Sequence, residues 1–203
     1  MRTQQIITAI LIAIGASVAI YQAMQPDFGR LKFKVRGNVA YGYGFTDSNS
    51  ASLVTKLLRD NPEVDTLVLK KMSGTQDADT NLKLARHIRR NHLKTHLDKN
   101  SYIASGAVDL FIAGVERTME CGALIGVHSW SISGRKIGQL AISPKDMGVD
   151  RRQGLHERFL RDMGVDPDFY VYTREAAEPE DIYFVPPDDV ERFGLLTQPA
   201  NCD

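Results

Sequence analysis

Two residues in an otherwise apolar stretch have the types and spacing for nucleophilic chemistry. They are Ser105 and His128, both within the run Tyr102 to Trp130. Ser105 lies in a small-residue turn, Ala104-Ser105-Gly106-Ala107, ahead of an apolar run that reads as a buried helix. His128 follows Ala123-Leu124-Ile125-Gly126-Val127, which reads as a buried strand. A serine opening a helix has unsatisfied backbone N–H groups beside it and a dipole that favours developing negative charge. A histidine at the end of a core strand sits where loops form the rims of clefts. Together they make a candidate nucleophile and general base for acyl transfer.

Acyl transfer also needs oxyanion donors and a group that holds the imidazole tautomer. The N–H of Gly106 is one available donor, and Ser73-Gly74-Thr75, after a second apolar run, offers the other at Gly74. For the orienting acid, Asp181 is the first choice because it precedes an aromatic pair, with Glu178 and Glu180 as close competitors. Each residue also has a plainer reading. A serine among small residues is often a helix cap or spacer, and a histidine after a strand is often a structural hydrogen-bonder.

Other reactive side chains point nowhere as specific. His87, His92 and His96 fall at a basic helix end with no cysteine or acidic partner in the pattern, so a solvated face is expected rather than a metal site. Cys121 and Cys202 are far apart; two unpaired thiols is the simpler reading, with an oxidised pair open in an exporting compartment. Neither a cofactor nor a metal is expected.

The elements that position these residues read as an α/β chain. Leu31 to Val35 alternates as a strand does, and Gly37 to Gly44 reads as a glycine-rich turn. A helix starts near Asp47-Ser48-Asn49-Ser50, and Thr66 to Leu69 is a short, fully apolar strand of the kind buried in a parallel sheet. Met72-Ser73-Gly74-Thr75 reads as a turn before a helix over about residues 77–91, and Thr95 to Leu97 as another short strand. This alternation is the pattern of βαβ units with right-handed crossovers. Ser131 to Gln139 reads as a loop or hairpin over the cleft, followed by a helix over roughly 150–163 and a short helix ended by Gly194.

The 203 residues suit one domain, expected over 31–203, after an N-terminal segment over 1–25. Hydrophobic content of 43% is ordinary for a globular chain, and 25 basic residues balance 25 acidic ones, so no global field attracts nucleic acid. Ile6 to Ala23 carries no charge and reads as a transmembrane or signal helix at the lower length limit for a span. Ser17-Val18-Ala19 resembles a cleavage site; a retained anchor is favoured over a cleaved signal. Arg30, Lys32, Lys34 and Arg36 argue for a cytoplasmic side by the positive-inside rule, yet they also fit the wet face of the first strand. The expectation is a membrane-anchored domain on the periplasmic or extracytoplasmic side.

Ile103-Ala104-Ser105-Gly106-Ala107, the apolar helix after it and Gly126-Val127-His128 resemble the Clp protease proteolytic subunit and its relatives in the crotonase superfamily. The resemblance is nearer still to ClpP-like bacterial proteins that are exported or membrane-anchored, and it covers roughly residues 31–197. In that family a buried strand ends in a Ser-Pro-Gly-Gly turn, a serine opens the next buried helix, and a histidine follows the next strand. The resemblance implies a ClpP/crotonase-like fold of stacked βαβ units. It also implies a serine hydrolase with Ser105 as nucleophile, His128 as base and the amides of Gly74 and Gly106 as oxyanion hole. A peptide or other acyl substrate follows, and a homo-oligomer, since relatives assemble into rings or trimers. Two departures stand out. Met72-Ser73-Gly74 replaces the proline-glycine-glycine turn, and the family's aspartate position, counted from Phe184, falls on Ile182, one residue after Asp181. Hence the rival expectations: a Ser-His dyad, a non-hydrolytic crotonase-fold binding or assembly module, or, less favoured, an acyl-CoA-processing enzyme.

Overall fold

The computed structural model describes residues 29–129 and 153–202. The apolar segment over residues 6–23 and the segment over 131–139 lie outside them. Among the described residues, no helix is long and apolar enough to cross a membrane.

The described residues open with a hairpin, β1 (Lys32–Arg36) and β2 (Val39–Thr46), paired antiparallel. The stretch from Gly37 to Gly44, read as a turn, is mostly strand; only its first residues turn the chain. The glycines of β2 are there for close packing. A Cβ placed on Gly42 would come within 3.2 Å of the Phe33 ring, so the glycine leaves room for that ring across the hairpin while Tyr41 and Tyr43 stay half-buried.

Helix α1 (Ser50–Asp60) leads into β3 (Thr66–Thr75), ten residues through the middle of the sheet. The expected strand over 66–69 is therefore its first half. Met72 to Thr75, expected as a turn, continues the strand, because Met72 is completely buried and paired with Ile103. β3 is parallel to β2 along its length and changes partner on its other side. Its first residues pair with β4 (Lys94–Leu97), and Lys71 and Met72 pair with β5 (Tyr102–Ala104). The sheet forks there. One branch runs from β4 to β6 (Arg117–Met119), the other from β5 to β7 (Leu124–Val127) and on to a short antiparallel β8 (Tyr183–Phe184).

Helix α2 (Ala78–Arg90) joins β3 to β4 and starts on Asp77, whose carboxylate accepts the Thr80 N–H at 3.1 Å. Such a cap is worth about 1 kcal/mol. Helix α3 (Gly106–Ile112) follows β5 and is apolar all round except for Asp109. At seven residues it is too short to persist alone. Burial supplies what length does not: Ala107, Val108, Leu110, Phe111 and Ile112 are each 4% exposed or less, and a buried aliphatic or aromatic side chain contributes about 1.5–3 kcal/mol.

After the undescribed segment come α4 (Gln153–Met163), α5 (Phe169–Ala176) and α6 (Pro187–Arg192). Gly194 ends α6 with a left-handed φ of 68°, as expected, and its N–H bonds the Glu191 carbonyl. The tail then runs back along β6, to which Thr197 and Asn201 donate through their N–H groups, and two further ties hold it. Arg117 is buried and donates to the carbonyls of Leu195 (2.8 Å), Met163 (3.0 Å) and Gly194 (3.2 Å). Burial, reinforced by nearby Arg89, lowers its pKa to about 10, which leaves it charged at neutral pH. The second tie corrects the reading of unpaired thiols: Cys121 and Cys202 form a disulfide across 81 positions. Sequence distance hid the pair, which the backbone brings together through Cys121 N–H to Asn201 O at 2.7 Å.

Candidate active site

The site is built where the second branch of the sheet meets α3. β5 stops after three residues, and Ser105 turns the chain into the helix with φ 54° and ψ −130°. An L-residue rarely occupies that region, and holding one there costs about 1–3 kcal/mol. The conformation is enforced from both sides. The Ser105 N–H continues the strand pairing to Gly126 O at 3.0 Å, and its carbonyl accepts the first helical bond, from Val108 N–H at 2.9 Å. Its hydroxyl makes no capping bond to α3. The helix-cap reading of this serine therefore fails on geometry, and the hydroxyl is left to the cavity beside it.

Two glycines admit the serine. Gly74, near the end of β3, has φ 125°, and a Cβ on it would lie 2.9 Å from Ser105 Cβ and 3.3 Å from Ser105 Oγ. Gly106 opens α3 against Thr75, where a Cβ would come within 2.5 Å of Thr75 Cγ2. The turn is braced by Asn81, a buried residue of α2. Its Oδ1 accepts from Thr46 Oγ1 at 2.8 Å, and its Nδ2 donates to Gly106 O at 2.8 Å and to Asp109 Oδ2 at 2.9 Å. One amide thus links the end of β2 to the first turn of α3.

His128 stands one residue past β7, and the next residue is fixed by Ser129 N–H to Ala177 O at 2.8 Å. Ser105, Gly106 and His128 all line one cavity of about 410 Å³, together with Thr75, Asp109 and His156. Burial pushes the His128 pKa below its ordinary value of 6.5, while the backbone of Ser129, the Glu180 carboxylate and the backbone of Pro179 oppose the shift. Burial wins, so the imidazole is neutral at pH 7, the form a general base requires. Its Nδ1 is buried and has no hydrogen-bond partner among the described residues.

Asp181 is exposed, does not line the cavity, and bonds the Glu178 carbonyl through its own N–H. The carboxylate whose charge acts on His128 is Glu180, one residue earlier. Ile182, at the position counted from Phe184, packs instead on Gly126: a Cβ on that glycine would lie 2.6 Å from Ile182 Cγ2. The three other histidines of the sequence pattern do not converge. His87 meets Thr55 and Asn91, whereas His96 meets Thr118 and Glu120.

Three residues of the site were not anticipated. Asn81 gave no signal, since one asparagine on an amphipathic helix is unremarkable as sequence. Asp109 did give one, as the single charge in the apolar run of α3. His156 reaches the cavity from α4 and stacks on Tyr170, with ring centroids 4.7 Å apart and planes 19° apart.

No protein-family model and no curated protein matches the chain. Solved structures do match it in shape. A 1510-N membrane-bound stomatin-specific protease, as a serine-to-alanine variant, superposes with a TM-score of 0.55 at 10% identity, over 84% of this chain and 82% of that one. A lysine-to-alanine variant of a 1510-N stomatin-specific protease, in complex with a substrate peptide, gives 0.53 at 10% identity, over 84% and 78%. A putative enoyl-CoA hydratase from Streptomyces avermitilis gives 0.50 at 14% identity, over 86% and 68%. At such identities the likeness shows the fold alone, a mixed α/β fold that this chain shares with the protease and the hydratase.

Proposed function

We propose that this protein is a serine hydrolase acting on a peptide or another acyl substrate. One observation carries the reading: Ser105 is held in a strained conformation, its hydroxyl unused by the helix it precedes, in the same cavity as His128. In this reading Ser105 Oγ attacks the carbonyl carbon while His128 takes the hydroxyl proton. The N–H groups of Gly74 and Gly106 receive the oxyanion. Collapse of the tetrahedral intermediate breaks the bond to the leaving group, which departs with the proton from His128. Water, deprotonated by the same imidazole, then releases the acid and restores Ser105.

Glu180 is the best-placed acid to bias the imidazole, since its charge already favours the His128 cation. Asp181, the choice from sequence, serves only through a rearrangement of the loop that carries both. The test is labelling with a fluorophosphonate probe: wild-type protein reacts at Ser105, and Ser105→Ala and His128→Ala do not. A folded wild-type protein that resists the probe sinks the proposal.

A second reading, a non-hydrolytic crotonase-fold binding or assembly module, is favoured by one observation, the buried His128 Nδ1 without a partner among the described residues. It predicts the same fold with an inert Ser105. As for location, the Cys121–Cys202 disulfide supports an oxidising compartment, in keeping with an anchor over residues 6–23 and a domain outside the cytoplasm. Self-association is supported by Ile182, Tyr183 and Phe184, exposed together on and beside the edge strand β8.

A further inference from the structure

We propose that Asp109 is a specificity-determining carboxylate, and that the cavity takes acyl substrates bearing a cationic side chain, lysine or arginine, next to the carbonyl attacked. The inference rests on Ser105 being the nucleophile. Asp109 is the one charged residue of α3 and lies four positions after Ser105. At 1.5 Å of rise per residue, that places it roughly 6 Å along the helix axis from the turn. Side chains on a helix lean toward its N-terminus, so this carboxylate is tilted back toward Ser105. The separation is about the reach of a lysine's four-carbon stem.

The carboxylate is poorly supplied where it stands. An ionised carboxylate can accept about four hydrogen bonds. Among the described residues it receives one, from Asn81 Nδ2, and Asn81 Oδ1 is already bonded to Thr46. The consequence appears in its acidity. Burial raises the Asp109 pKa, and the charge of His156 and the Asn81 bond recover only part of the loss. A group in this state gains most from a cation brought to it.

The rest of the cavity matches the stem of such a cation. Val108, Leu160 and Phe169 supply apolar wall, beside the Tyr170 ring on which His156 stacks. Among the described residues lining the cavity there is no lysine or arginine to neutralise Asp109 from within. An acidic side chain would bring a second carboxyl group against one whose pKa burial already raises. An apolar one would seal the carboxylate from water with Asn81 as its one hydrogen-bond donor among the described residues, at a desolvation cost. A methylene stem with a positive tip satisfies both the walls and the carboxylate.

The competing possibility is that His156 alone serves Asp109 and the pair is internal. Hydrolysis of N-acetyl-lysine methyl ester against N-acetyl-norleucine methyl ester separates the two, because these esters share a stem and differ in the charge. Wild-type protein should favour the lysine ester by about tenfold or more in kcat/KM, and Asp109→Asn should bring the ratio to about one. Equal kcat/KM in the wild type, or an undiminished ratio in Asp109→Asn, overturns the proposal and leaves the hydrolase reading standing. A calorimetric titration with benzamidine makes the converse distinction. If neither ester is cleaved, benzamidine bound by Ser105→Ala protein and not by Asp109→Asn sustains the cation site while the hydrolase reading falls. No binding to either variant or to the wild type removes the site as well.

Discussion

Gly74 and Ser105 occupy adjoining volume at the ends of neighbouring strands, so close that a Cβ on Gly74 would lie 2.9 Å from Ser105 Cβ. A contact that short cannot be accommodated without moving backbone, and Gly74 adds a φ of 125° that a side chain resists. Gly74→Ala is therefore expected to cost about 1–3 kcal/mol of stability. If its N–H is an oxyanion donor, kcat should also fall by about 10²–10³. Urea unfolding beside steady-state ester hydrolysis reads both effects. A stability loss with kcat intact would place Gly74 in the packing and outside the chemistry.

Ser105→Gly tests what the strained turn is for. Glycine relaxes at φ 54° and ψ −130°, which should return about 1–3 kcal/mol, less about 0.5–1 kcal/mol of added chain entropy in the unfolded state. A modest rise in Tm with complete loss of fluorophosphonate labelling is expected. A fall in Tm would mean that the hydroxyl holds the turn together.

The neutral form of His128 sets the acid side of the pH profile. Its folded pKa is below 6.5, so the acid limb of kcat/KM should have its midpoint below 6.5. Stability follows the same sign. Between 6.5 and the folded pKa the unfolded chain binds the extra proton, so stability is full above 6.5 and declines as pH falls through that window. Glu180→Gln removes a charge that favours the cation and should move the midpoint to still lower pH, whereas Asp181→Asn should not move it. The opposite pattern would restore Asp181 as the orienting acid.

Reducing the Cys121–Cys202 bond releases a tail that crosses β6. For a closed loop of this size, chain entropy assigns the bond roughly 4–5 kcal/mol. Double substitution Cys121→Ser, Cys202→Ser should lower Tm by more than about 10 °C in a domain of this size. Arg117 keeps its four carbonyl bonds without the bond, so the reduced protein should fold at room temperature. Thermal melts with and without reductant measure the difference.

Much of the frame was legible because its signals are local. β3 begins as a short run of large aliphatics, α2 shows its cap and basic end, and Ser105 is flanked by small residues on both sides. The misread segments are those whose glycines answer to distant neighbours. Gly42 is strand because Phe33 packs over it from the other arm of the hairpin, and Gly74 is strand because Met72 is buried against Ile103 of β5. The cavity was half legible. Its nucleophile and base follow from strand and helix ends, whereas Asp109 and His156 meet only in the tertiary fold, on different helices lining one cavity. The disulfide was illegible for the same reason, since 81 intervening residues carry no sign that both ends return to β6.

The fork in the sheet has a kinetic meaning. Gly74 reaches Ser105 only if β3 has completed its change of partner, from β4 to β5, across about thirty residues of intervening chain. Non-local pairings of that kind close late in folding, because loop entropy is paid before contact is rewarded. Reactivity at Ser105 should thus lag behind the appearance of helix during refolding. A probe added at successive delays would read the serine as a clock for the last strand to dock.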